Sequence, residues 1–308
     1  MGSPMQAAFS CVVDDDRKYA RQAALWAASL LIYGEQSADS LVVHTVGPGE
    51  PRLRALLRSW GVDVVQIDAF DARHPYSNKL GQFATPSLRD ADYAVLCDCD
   101  LAFAGSISPW LRGERVRARI VDRPWLSPAQ WRKLFAAAKL RFPLGTVLAG
   151  NGAPTLPTFC NGGLYVIPRA RFDQLGAAWS TWDRWLLEHS ELLRPREVFA
   201  DQVSFTLACE ELGLTIDYLP IELNYHTGKS RAALLKRDGR RGWTPHVLHY
   251  QNLVGPRGFL LKEKLASMNA ATERINEVIR CLNELYPVDE PGQRRSGTAS
   301  SLRADQSS

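Results

Sequence analysis

The sequence has no Cys-x-x-Cys pair, no apolar run long enough to cross a bilayer and no internal repeat. The first absence argues against a zinc-ribbon or finger site, because the six cysteines are scattered. The second, with no secretory leader pattern, leads us to expect a cytosolic protein without a membrane span. Basic residues are dispersed apart from Arg237 to Arg241, and the net charge is only +4. That leaves no electrostatic footprint for nucleic acid. A dinucleotide fold would place Gly-x-Gly-x-x-Gly after its first strand; here that turn reads Asp14-Asp15-Asp16, so no pyrophosphate cradle is expected there.

What is present is an ordinary globular composition, 45% hydrophobic and 23% charged over 308 residues, enough to bury a substantial core. Several cysteines lie inside apolar runs and read as reduced thiols. Residues 1–4 are set aside from the fold argument. The most informative stretch is Tyr93-Ala94-Val95-Leu96-Cys97-Asp98-Cys99-Asp100-Leu101-Ala102-Phe103. Its continuous apolar run suits a central strand covered on both faces. Two carboxylates at its end need a partner, since an unpaired buried carboxylate costs several kcal/mol. Residues i and i+2 of an extended segment point the same way, Cα atoms roughly 6–7 Å apart. Asp98 and Asp100 can then converge on one hard divalent cation. The plainer alternatives are a solvated strand cap, or a zinc site using Cys97 and Cys99.

Along the chain, Gln6 to Val13 reads as a strand, Arg17 to Tyr33 as a helix stopped by Gly34, and Leu41 to Val46 as a second strand. Arg52 to Trp60 is helical, with Gly61 terminating it, and Val62 to Ile67 is a third strand. This β-α-β-α-β alternation predicts an α/β domain with a mostly parallel central sheet flanked by helices. Ser77 to Arg89 reads as a helix carrying Lys79, and Pro128 to Leu140 as another. Gly145 to Pro157 has the composition of a site-lining loop. Phe159-Cys160-Asn161-Gly162-Gly163 leads into a strand ending at Pro168, the double glycine suggesting a bulge or close backbone approach by a ligand. Arg169 to Glu188 is an amphipathic helix whose aromatic stripe reads as core. Ala200-Asp201-Gln202 opens a helix, Leu214 to Leu219 is a strand, and His246 to Tyr250 is a short strand. Phe259 to Leu285 is a final helix or helix pair. The polar stretch 289–308 is expected to be disordered.

Taken together, these pieces resemble a GT-A type nucleotide-sugar glycosyltransferase, most closely the retaining family that includes glycogenin and lipopolysaccharide galactosyltransferases. The likeness spans roughly residues 7 to 260. It rests on the Asp98-Cys99-Asp100 strand, the Asn161-Gly162-Gly163 turn, the Asp201-Gln202 helix start and Val247-Leu248-His249-Tyr250. It implies a catalytic domain over 5–260, with a nucleotide half about 5–110 and an acceptor-side half about 111–260, then a helix over 261–288. It implies Asp98, Asp100 and His249 as ligands of Mn²⁺ or Mg²⁺ holding the donor diphosphate, with His226 and His246 competing for the histidine role. Asn161, Asp201 and Gln202 are implied near the reacting carbon. Val12, Val13, Asp14, Lys79, Asp98, Cys99 and Arg257 are implied for donor binding. Around Arg257 the chain reads Arg257-Gly258-Phe259 where the family more often has Lys-Pro-Trp.

For Asn161 the ordinary reading is a turn asparagine, for Asp201 a first-turn acid and for Lys79 a surface lysine. The expected activity is transfer of a hexose from a nucleotide diphosphate sugar, UDP-linked by the resemblance, to a hydroxyl acceptor with retention. The acceptor would be a small molecule or a glycan, reached through segments 110–157 and 229–243. There Trp125, Trp131 and Trp243 either stack on sugars or pack as core. The alternatives are a sugar nucleotidyltransferase, or a non-catalytic sugar- or nucleotide-binding protein on the same fold.

Overall fold

A computed structural model describes residues 5–194, 199–227, 243–250, 254–263 and 266–287. It opens with strand β1 (Ala7–Val13) and helix α1 (Arg17–Ile32). The Asp16 carboxylate accepts from the Lys18 N–H at 2.6 Å and caps α1, satisfying one of its orphan donors. Strand β2 (Leu41–Val46), helix α2 (Pro51–Ser59) and strand β3 (Asp63–Ile67) follow. Glu50 caps α2, and Gly61 ends it at φ +82°.

The segment expected as one helix over Ser77 to Arg89 is instead a 3₁₀ stretch, Pro75–Ala84, and a short helix, α3 (Pro86–Asp90). Pro86 forces the break: its ring holds Thr85 in an extended conformation (ψ 119°), so no helix passes through. Then come β4 (Tyr93–Asp98), β5 (Leu101–Phe103), β6 (Arg117–Ile120) and α4 (Pro128–Ala137), which starts in a Ser127/Gln130 capping box. A two-strand hairpin, β7 (Val147–Leu148) and β8 (Pro154–Thr155), precedes β9 (Cys160–Pro168). Helices α5 (Arg169–Glu188) and α6 (Ala200–Glu211), strands β10 (Asp217–Tyr218), β11 (Tyr225–His226) and β12 (Val247–His249), and helix α7 (Ala266–Leu285) complete the order. Strand β10 is shorter than Leu214 to Leu219, and α7 begins at Ala266 instead of Phe259. The tail 289–308 lies outside the described residues.

Seven strands form the main sheet in the order β10-β6-β9-β4-β1-β2-β3. All run in one sense except β9, which is antiparallel to both β4 and β6. Helix α5 buries Phe172, Leu175, Trp179 and Leu186, so its aromatic stripe is core, as its spacing predicts. All six cysteines are free thiols. A separate three-stranded sheet, β11-β12-β5, runs beside the carboxyl end of β4. In it β12 pairs antiparallel with β5, setting His249 opposite Leu101 and therefore next to Asp100.

One buried histidine ties stability to pH. His44 on β2 is fully buried between the Ser10 hydroxyl (2.8 Å) and the Thr85 hydroxyl (2.6 Å), and burial pushes its pKa down to about 4. The native state therefore holds the neutral ring, whereas the unfolded chain titrates near 6.5. This contribution is complete above pH 6.5 and is lost as pH falls toward 4, about 3 kcal/mol in all. Urea denaturation of His44→Gln should show a shallower loss of stability across that window than the native chain. Parallel curves would refute the assignment.

Candidate active site

The carboxyl ends of β1 and β4 lie side by side, Val12 in register with Asp98. Beyond them the ligand atoms of Asp98, Asp100 and His249 all fall within 4.8 Å of one another. A chain of hydrogen bonds fixes the histidine's tautomer. The Gly163 N–H can only donate, and it donates to Asn161 Oδ1 at 2.9 Å. The same oxygen accepts from Asn224 Nδ2 at 2.8 Å, which turns Asn224 Oδ1 toward His249 Nδ1, 3.0 Å away. Nδ1 therefore carries a proton, and Nε2 faces Asp100 Oδ1 at 3.2 Å. That approach is stable only with a proton or a cation between the two atoms. Two carboxylates and an imidazole oriented through its far nitrogen match the donor chemistry of a divalent metal site.

Behind this cluster sits a buried cation. Lys79 Nζ donates to Asp201 Oδ2 (2.8 Å), Asp98 Oδ1 (3.1 Å) and the Gly162 carbonyl (3.1 Å). Burial alone would lower the Lys79 pKa, but Asp201 and Asp98 hold it well above the usual lysine range. Burial pushes the Asp98 carboxyl up, with Lys79 opposing. Side chains approach the double glycine closely. A Cβ on Gly162 would lie 3.0 Å from Lys79 Nζ, and one on Gly163 would lie 3.0 Å from the His249 ring.

Residues 9–213, more than half of the chain, match the family described as the Rhodobacterales glycosyltransferase domain. The chain belongs to that family. It is a glycosyltransferase with a GT-A type fold. No curated protein sequence matches it. Among solved structures it is similar to the galactosyltransferase LgtC in complex with donor and acceptor sugar analogs, at 15% identity and TM-score 0.54, covering 92% of this chain and 98% of that one. It is also similar to the glycosyltransferase GlyE of Streptococcus pneumoniae TIGR4 (14%, TM-score 0.51, 91% and 64%) and to mouse xyloside xylosyltransferase 1 (14%, TM-score 0.50, 80% and 98%). At such identities these likenesses speak to fold alone.

In this glycosyltransferase a cleft of about 330 Å³ opens beside the three candidate ligands, lined by Val12, Asp14, Tyr76, Lys79, Cys99 and others. Val13 points the other way, into the core, as strand alternation requires. Arg257 lines a neighbouring cavity. Of the competing histidines, His246 Nδ1 meets the Ser106 carbonyl at 2.9 Å and its ring packs on Trp110. His226 stacks on the His249 ring, centroids 3.9 Å apart, with Nε2 3.3 Å from Asp122 Oδ2. Neither belongs to the metal-ligand cluster.

The sequence reading missed Asp122 and Arg119. The Arg119 guanidinium bonds Asp122 Oδ1 at 2.5 Å and also reaches the Asn224 carbonyl, while Asn161 Nδ2 lies 3.5 Å from Asp122 Oδ2. The available signal was the one that marks Asp98: an apolar run, Ile120-Val121, ending in an acid. Trp131 and Trp125 pack edge-on against Phe159, and Trp243 against Tyr225, so all three serve the core. Residues 228–242, most of one expected acceptor segment, lie outside the described set. Among the described residues no helix is long and apolar enough to cross a membrane.

Proposed function

We propose that this enzyme transfers a hexose from a UDP-linked sugar to a hydroxyl acceptor with retention at the anomeric carbon. The observation that carries the reading is the Asp98–Asp100–His249 cluster at the mouth of a cleft beyond the carboxyl ends of β1 and β4. Ligands of open α/β sheets bind in that crevice. Val12 and Asp14 then border the base and ribose, with Lys79 and Cys99 nearer the phosphates. Asp98, Asp100 and His249 would hold Mn²⁺ or Mg²⁺. When bound, that cation supplies positive charge to the leaving diphosphate.

The remaining chemistry falls to the protein. The bond from the anomeric carbon to the phosphate oxygen breaks, and its electron pair leaves with UDP. The acceptor oxygen forms the new bond, and its proton passes to the departing phosphate. Lys79, fixed by two carboxylates, adds preorganised charge beside the diphosphate. Asn161 and Gln202 orient the sugar, and Asp201 sets Lys79 in place. Because Asp201 Oδ2 is held by Lys79, front-side attack by the acceptor suits this site better than a covalent sugar on Asp201.

Donor hydrolysis across UDP- and GDP-sugars, with manganese and then with chelator, tests the reading without an acceptor. We expect release of UDP from one UDP-hexose, abolished by chelation and accompanied by a retained anomer in the NMR spectrum. Metal-independent release, or an inverted product, would overturn it.

A further inference from the structure

One buried acid takes no part in that chemistry. Asp183 on α5 is fully buried, and its Oδ1 accepts from the Ser204 hydroxyl on α6 at 2.7 Å. The same Ser204 Oγ lies 3.0 Å from the Asp201 carbonyl. Trp179 Nε1, one turn earlier on α5, is aimed at both, 2.8 Å from the Asp201 carbonyl and 3.0 Å from Ser204 Oγ. Three side chains thus converge on the backbone of Asp201, the residue whose carboxylate holds Lys79.

Proton count decides how they are wired. A serine hydroxyl has one hydrogen, a carboxylate can only accept, and the indole N–H can only donate. With Asp183 ionised, Ser204 gives its hydrogen to Asp183, and of these groups only the indole N–H is left for the Asp201 carbonyl. The 2.7 Å contact, shorter than the 3.0 Å one, matches that wiring. With Asp183 protonated, its O–H can donate to Ser204 Oγ, and Ser204 is free to turn its own hydrogen onto the Asp201 carbonyl. The two wirings differ in what grips the Asp201 backbone.

The titratable groups that Asp183 feels are Asp201 on α6 and Lys79 in the 3₁₀ stretch Pro75–Ala84. Burial is the largest influence and pushes its pKa up to about 6; the Ser77 and Ser204 hydroxyls oppose it, Asp201 adds to it, and the lowering by Lys79 is the smallest. A buried carboxylate of this kind costs stability at neutral pH, where an asparagine of the same shape would not. Such costs are kept where they serve a site.

We propose that Asp183 is a positioning residue for sugar transfer: its carboxylate takes the Ser204 hydrogen and so fixes the Asp201 backbone from which Lys79 is held. The proposal rests on the reading that Lys79 acts at the donor diphosphate. Protonation of Asp183 rewires Ser204 to Asp201, and turnover falls with it.

Two measurements on the full chain test it. The first needs no donor. Asp183 titrates near 6 when folded and near 3.8 when unfolded. The native chain should therefore lose stability relative to Asp183→Asn as pH rises from 3.8 through 6, by about a hundredfold in the folding equilibrium. Urea denaturation of both chains reads that difference, and His44, common to both, cancels. The second is kcat for donor hydrolysis at saturating manganese and donor. Native kcat should fall by up to about tenfold per pH unit below 6. Asp183→Ala, with no acceptor for Ser204, should lower kcat at neutral pH at least about tenfold. Asp183→Asn restores an acceptor oxygen, so it should rescue most of that loss, and it should lack the acid limb because it cannot titrate. Superimposable kcat profiles for the native and Asp183→Asn chains, or parallel stability curves, would overturn the proposal. A native chain that hydrolyses no donor at any pH would instead remove the donor reading, and this proposal with it.

Discussion

Asp100→Asn will abolish sugar transfer, lowering kcat/KM by at least about a thousandfold, while the protein remains folded. The substitution keeps the size of the side chain but removes one of two carboxylates from a three-ligand cluster. Asp100 sits in the turn between β4 and β5, so an amide there disturbs no strand pairing. The change also leaves His249 Nε2 facing a weaker ligand at the same 3.2 Å spacing. Manganese-dependent UDP affinity, measured by titration, should fall in parallel with activity. A variant that still turned over at a tenth of the native rate would remove the cluster from the mechanism.

Lys79→Met is expected to damage both stability and activity. Methionine fills the lysine stem but leaves Asp201, 1% exposed, without the cation that neutralises it. Removing one partner of a buried pair costs about 3–5 kcal/mol. The double variant Lys79→Met/Asp201→Asn removes the uncompensated charge and should recover most of that stability in urea denaturation. Activity should stay low in both if Lys79 acts on the leaving group as proposed. If the double variant is no more stable than the single, the ion pair does not hold this part of the site. If Lys79→Met alone retains full activity, Lys79 has no part in the chemistry.

Asp98 and Asp100 could be picked out because burial makes an unpartnered acid expensive, so a carboxylate ending an apolar run signals a partner. Asp122 obeys the same logic at the end of Ile120-Val121, but its partners, Arg119 and His226, lie on β6 and on a strand more than a hundred residues further along. Most helices and strands were legible from periodicity and from Gly and Pro punctuation, as with α5, β2 and the break at Gly61. The split at Pro86 went unread, although proline restrains the residue before it.

Local pattern thus determined the element order, the α/β class and the acid pair, because these depend on spacing along the chain. Local pattern left open which histidine joins that pair; the resemblance pointed to His249, and the tertiary structure brings it there. His226, His246 and His249 all stand on or beside short strands. Only the antiparallel register of β12 on β5 brings one of them to Asp100, and pairing between segments far apart in sequence leaves no periodic trace in either. The same holds for Lys79, whose ordinary surface spacing hides a buried ion pair with an acid on a distant helix.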